Sequence, residues 1–159
     1  MEVASAITVS GRSRLRVAQE VPSMPDASAT SLASQSAPLS EALLLGAKRL
    51  VDLSKLHQDW DSYGSPPVQP AALASASRAL AVAVGERAAL PFIGPIAGGG
   101  IQFEWDAGSR ALEIALLPDG AIEYLAVENG REHEARIENE REQELMVRAL
   151  VRWFVTTHR

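Results

Sequence analysis

There is no cysteine in the chain. Disulfides and thiolate metal ligands are therefore excluded, and the fold must be held by packing, hydrogen bonds and ion pairs. A reducing, cytoplasmic setting is the expectation. Aromatic residues are scarce, 5% against 47% hydrophobic residues in all, so a core drawn from these 159 residues must be mostly aliphatic. No apolar run approaches the roughly 18 residues that a membrane span needs, and no membrane partner is expected. Basic charge is also in short supply. Lys and Arg number 15 against 20 Asp and Glu, a net charge of −5. Non-specific nucleic-acid binding needs a basic footprint, so no nucleic-acid partner is expected.

Catalytic signatures are missing as well. No G-x-S-x-G nucleophile elbow occurs, and His57, His133 and His158 are not spaced as metal ligands on one helix or loop would be. The run "AGGGIQFEW" is glycine-rich, but a phosphate cradle leads into a helix N-terminus, and here the glycines lead into a strand pattern with no G-K-[ST]. No cofactor is expected.

What is present falls into two parts. Residues 1–37 are rich in Ser, Ala, Thr and Pro, with no sustained period, and are read as a disordered, untargeted tail. Met1 and Met24 both stay open as the start. Residues 38–159 read as one domain. "PLSEALLLGAKRLVDLSKLHQ" places Leu39, Leu43, Ala47, Leu50, Leu53 and Leu56 at helical spacing behind Pro38. A second helix, "PAALASASRALAVAVG", opens at Pro70 and carries a face of small residues, Ala72, Ala76 and Ala83, beside Leu73 and Leu80. The last segment repeats Leu145, Met146, Ala149, Leu150, Trp153 and Phe154 as an apolar stripe. Glu140, Glu142 and Glu144 sit near its start, and Arg148 and Arg152 near its end, as the helix dipole favours.

Between the second and last helices the period becomes two. Ile101, Phe103 and Trp105 alternate with Gln102 and Glu104, then Leu112, Ile114 and Leu116 with Glu113 and Ala115, then Ile122 and Tyr124. Gly108-Ser109 suits a two-residue type II′ turn and pairs Trp105 with Leu112 and Glu104 with Glu113. Pro118-Asp119-Gly120 suits a three-residue turn with a left-handed Gly120 and pairs Leu116 with Ile122. Both registers put the large apolar residues on one face, which is the signature of a meander. "PFIGPI" is read as a short edge strand, and "REHEARIE" stays open between a fourth strand and a loop. The expected fold is α+β: two N-terminal helices, a three- to four-stranded antiparallel meander and one C-terminal helix.

Three groups of residues could carry function. Asp59, Asp61, Glu104 and Asp106 flank two tryptophans and would have to converge to form a metal-dependent hydrolase or nuclease site. Trp60, Asp61, Tyr63 and Gly64, in "DWDSYGSPPVQP", are read as a rigid corner that plugs the core face of the sheet, with a recognition loop as the alternative. On the parity opposite the core lie Glu104, Glu113 and Glu123 with Leu117, Leu125 and Val127. Acid and aliphatic residues mixed on one face suit either a partner surface or the rim of the chain's own helix. Glu104, Glu113, Glu123, Leu125 and Val127 are taken as the partner-binding set.

The order Trp60-Asp61-x-Tyr63-Gly64-x-x-Pro67, then Gly99-x-Ile101-x-x-Glu104-Trp105, then Asp119-Gly120-x-Ile122-x-Tyr124 resembles a family of small bacterial α+β proteins of uncharacterised function. The likeness covers residues 56–126. It departs at "GGG", where such proteins often carry an acid-glycine turn. The resemblance implies an α+β domain, no established activity, and an antitoxin- or immunity-like protein partner. The expected function is thus a non-enzymatic protein-binding or regulatory module with a basic protein partner, and the alternative is the carboxylate-dependent hydrolase.

The composition of the tail has a direct consequence. Its few large apolar residues cannot offset the entropy of ordering it. Deleting residues 1–36 should leave the thermal unfolding midpoint unchanged, and a clear drop in a calorimetric scan would show that the tail packs.

Overall fold

The computed structural model describes residues 39–156; the tail, both candidate start residues and His158 lie outside them. Three helices and five strands follow in the order α1 (Leu39–Leu53), α2 (Pro70–Gly85), β1 (Phe92–Ile96), β2 (Gly100–Asp106), β3 (Arg110–Leu116), β4 (Ile122–Glu128), β5 (Arg131–Ile137) and α3 (Glu140–Thr156). The strands form one antiparallel sheet in sequential order, a five-stranded meander. Among the described residues no helix is long and apolar enough to cross a membrane.

The turn chemistry sets the registers expected of it. Trp105 lies opposite Leu112, Glu104 opposite Glu113 and Phe103 opposite Ile114. Leu116 lies opposite Ile122, and Ile114 opposite Tyr124. Gly108 and Gly120 both take positive φ, 68° and 87°. The strand count differs from expectation, five rather than three or four, because both doubtful segments pair. β1 tolerates Pro95 because it is an edge strand, where a missing N–H costs no ladder bond. β5 is the other edge, and residues 131–136 are all exposed. With nothing to bury, it shows no apolar alternation. A local signal for it does exist in Asn129-Gly130, both at positive φ (50° and 79°), the dipeptide of a type I′ hairpin turn.

One face of the sheet carries the core. Ile93, Ile101, Phe103, Trp105, Leu112, Ile114, Leu116 and Ile122 are buried there against Leu50 and Leu53 of α1, the alanine face and Leu80 of α2, and Val147, Leu150, Val151 and Phe154 of α3. The Phe103 and Trp105 rings meet edge to face at 6.1 Å. The Trp105 indole N–H donates to the Ala89 carbonyl at 2.8 Å, which ties the segment after α2 to β2.

Two helices are turned from their expected faces. In α1, Gly46, Leu50 and Leu53 face inward while Leu43 and Ala47 are exposed. A side chain at Gly46 would meet the Leu80 methyls at 2.7 Å, so this glycine is the notch that receives Leu80. In α3, Val147 and Val151 are buried in place of Leu145 and Ala149. The cause is Gln143, 4% exposed, whose amide donates to the carbonyls of Gly120 (3.0 Å), Ile137 (3.0 Å) and Glu138 (3.3 Å). A buried polar group must be hydrogen-bonded, and three convergent carbonyls fix the rotation of the helix. Asn139 caps the same helix, accepting the N–H groups of Arg141 and Glu142.

The "GGG" stretch is a packed turn. Gly98 and Gly99 have φ of 89° and 92°. A side chain on Gly99 would lie 2.7 Å from the Pro67 carbonyl, and the Gln69 N–H donates to the Gly99 carbonyl at 2.9 Å. The end of the α1–α2 loop therefore lies directly on the β1–β2 turn. Gly99→Ala combines left-handed strain with a backbone overlap and should destabilise by about 3 kcal/mol or more, whereas Gly108→Ala, facing open space, should cost about 1–2 kcal/mol. Urea unfolding of the two variants checks the difference; equal losses would mean that the loop yields at no cost.

Candidate functional site

The loop from Asp59 to Pro67 closes on itself. The Asp61 carboxylate accepts the N–H groups of Tyr63 (3.0 Å) and Ser65 (3.2 Å) and the Ser65 hydroxyl (2.6 Å). Together these bonds, the hydroxyl's first, outweigh partial burial and hold its carboxyl below the ordinary value. Asp59 accepts the Gly64 N–H at 2.7 Å, and the Trp60 indole donates to the Pro66 carbonyl at 3.2 Å. Asp59, Ser62 and Gly64 all have positive φ. These bonds span two to six residues, so they build a self-contained knot.

This corrects the expectation that the corner plugs the core face of the sheet. Trp60 is half-buried within the loop and takes no part in the core cluster, and Tyr63 is 92% exposed. From this stretch it is Val68 that enters the core, beside residues of all three helices, while the short-range hydrogen bonds hold Trp60 and Tyr63 outside it. Nor do the carboxylates assemble. Asp59 and Asp61 are engaged by their own loop, and Asp106 accepts the Gly108 N–H at 3.0 Å. Among the described residues no three Asp, Glu or His side chains lie together as a metal site would require.

The outer face of the sheet is different. Among the described residues all three helices contribute to the core on the opposite face. Pairing across the strands sets out rows of side chains on this outer side. One row runs Phe92, Glu104, Glu113, Leu125, Glu134 from edge to edge. The next runs Gly94, Gln102, Ala115, Glu123, Arg136. A third runs Asp106, Ala111, Val127, Glu132. The expected set of Glu104, Glu113, Glu123, Leu125 and Val127 therefore shares one face, with Leu125 and Val127 half-buried. Gly94, Ala111 and Ala115 form a low floor between them.

The sequence reading missed Phe92, Asp106, Glu132 and Glu134 as members of this face. Phe92 is 62% exposed and folds its ring over Gly94. Its parity relative to Ile93 was the available signal. Glu132 and Glu134 became visible only once β5 was a strand.

Charge on this face is unbalanced. Asp106, Glu104, Glu113, Glu123, Glu132 and Glu134 face one cation, Arg136, which donates to Glu123 at 3.3 Å and also pairs with Asp119 and Glu138. Gln102 donates to Glu113 at 3.2 Å. Glu104 lies directly opposite Glu113. Burial, and then the Glu113 charge, raise the Glu104 carboxyl above its ordinary value. The folded protein therefore holds this proton more tightly than the unfolded chain does, and stability falls as pH rises through the window between the ordinary and the raised value.

Glu104→Gln removes that loss. The variant should be more stable than wild type at neutral pH by about 0.2–1 kcal/mol, with the gain shrinking on acidification. Thermal scans of both proteins across pH check this. The carboxylates held low by their partners, Asp61, Glu86 and Asp119, are common to both proteins and cancel in the difference. A variant no more stable at neutral pH would mean that the opposed pair carries no strain.

Comparison with protein-family models, with curated proteins and with solved structures finds no match to this chain.

Proposed function

We propose that this protein is a non-enzymatic binding module whose uncovered sheet face receives a basic protein segment, in the manner of an antitoxin- or immunity-like partner. The observation that carries this reading is the row Phe92–Glu104–Glu113–Leu125–Glu134. Two carboxylates stand opposed in mid-sheet, with an exposed ring on one side and an aliphatic side chain on the other. In the free protein the opposed pair is destabilising. A lysine or arginine laid between them turns repulsion into attraction, while the partner's apolar groups cover Leu125, Val127 and Phe92. An apolar floor within a charged rim is the usual build of a protein-binding patch.

The physics separates two contributions. The acidic field steers a basic partner and acts on the association rate, and the buried apolar contacts act on dissociation. With a partner captured from the native host, association should slow by about tenfold or more between low and high salt. Glu113→Lys with Glu123→Lys should slow it similarly at low salt while circular dichroism stays unchanged, and Leu125→Ser should chiefly raise the off-rate. Association indifferent to both salt and charge reversal would place the binding surface elsewhere.

A further inference from the structure

The two edges of the sheet are built differently. The β1 edge is closed: Pro95 offers no N–H, and the Ile93 carbonyl accepts the Arg49 guanidinium of α1 at 2.9 Å. The β5 edge is open. Among the described residues no strand lies beyond it, and residues 131–136 are all exposed.

The unpaired backbone groups of β5 follow from its turn. Glu128 and Arg131 flank Asn129-Gly130 and lie opposite each other. In a two-residue hairpin that pair is hydrogen-bonded, and bonded and open positions alternate from there. Arg131, His133 and Ala135 therefore turn their backbone groups towards β4. Glu132, Glu134 and Arg136 turn theirs away from the sheet. The same three residues carry their side chains on the outer face, opposite Val127, Leu125 and Glu123. Arg136 is held by Asp119, Glu123 and Glu138. No described residue forms an ion pair with Glu132 or Glu134.

We propose that the basic partner segment enters as an extended sixth strand beside β5, with cations at alternate positions opposite Glu132 and Glu134. This rests on the reading given above and specifies how the segment docks. Hydrogen bonds to the outward backbone groups of Glu132, Glu134 and Arg136 supply affinity, and the alternation of side chains supplies selection. Directly opposed residues on neighbouring strands stand about 5 Å apart, so each lysine or arginine meets its glutamate. A neutral residue belongs opposite Arg136, whose charge is already matched.

The same strand rejects a second copy of itself. A two-fold pairing centred on Glu132 or Glu134 sets that residue against its own counterpart. Centring on His133 opposes Glu132 to Glu134, and centring on Ala135 opposes Glu132 to Glu138. Like charges directly opposite are destabilising, so the edge is guarded against self-pairing yet open to a basic strand.

Nuclear magnetic resonance of the full, isotope-labelled chain with the end-blocked peptide Val-Ser-Val-Lys-Thr-Lys-Thr tests the proposal. Antiparallel to β5, the peptide sets serine opposite Arg136 and its lysines opposite Glu134 and Glu132. Amide shifts should centre on β5, and the amides of Glu132, Glu134 and Arg136 should gain protection from hydrogen exchange. Methylating the backbone nitrogens of both lysines keeps the charge and should weaken binding about tenfold or more, since two hydrogen bonds are lost. Glu134→Pro should weaken it comparably, because that N–H makes no bond to β4, whereas Glu134→Gln should cost only about threefold. Equal binding of the methylated and unmodified peptides overturns the proposal. So does a peptide that shifts no amide at millimolar concentration. Shifts centred on Glu104 and Glu113, with β5 unprotected, overturn the sixth strand but leave the basic-partner reading standing. That reading is judged separately by the salt and charge-reversal measurements on the captured partner.

Discussion

The layer of small side chains on α2 is the constraint on which the remaining structure depends. Ala72, Ala76, Ala79 and Ala83 are almost completely buried. Their size lets the helix lie close on β2 and β3, where larger side chains would hold the layers apart and leave voids, each costing packing energy. Leu80 projects from the same helix into the notch at Gly46, which sets the position of α1. At its C-terminal end, Glu86 accepts Arg152 at 2.7 Å and lies 3.8 Å from Arg148, which ties α3 alongside. Near its start, the Ser75 hydroxyl donates to the Gly120 carbonyl, the same oxygen that Gln143 of α3 engages. α2 is therefore the element through which the other helices and the sheet are placed.

The three helices all pack on one sheet face, though not over β5, and the other face is left to solvent. Its composition follows from that asymmetry. Strands buried on one side alternate, and the residues released from the core are free to be charged. Random surface charge would mix the two signs. Here carboxylates predominate, two of them stand directly opposed, and aliphatic and aromatic groups lie between them. The closed loop at Asp59–Pro67 adds a second rigid feature with an exposed aromatic, held by its own hydrogen bonds and docked through Gln69 and Pro67 onto the Gly98–Gly100 turn.

Much of the sheet was legible in advance, and the reason is local. Two-residue and three-residue turns with glycine at the left-handed position define register within about ten residues, and the period-two pattern agrees with them. The outer-face set of Glu104, Glu113, Glu123, Leu125 and Val127 followed from parity alone. β5 was not legible by the same rule, because an exposed edge strand has no apolar parity to read; Asn129-Gly130 was its one local mark. Buried Gln143 was invisible because its three carbonyl partners come from two separate turns. The exposure of Tyr63 was misread because proline, glycine and aromatic residues together mark rigidity without saying what the rigid piece rests against.

The sequence by itself determined the three helices, strands β2 to β4 and the registers and parity of their two hairpins, since these depend on turn geometry and on neighbours a few residues apart. Only the tertiary structure decided which face the helices cover, how α1 and α3 are rotated about their axes, and where the loop ends against the glycine turn. Those outcomes depend on the fit of a leucine into a glycine notch, of an amide among three carbonyls and of a carbonyl against a missing side chain. Each joins residues far apart along the chain, and no local period encodes such a fit.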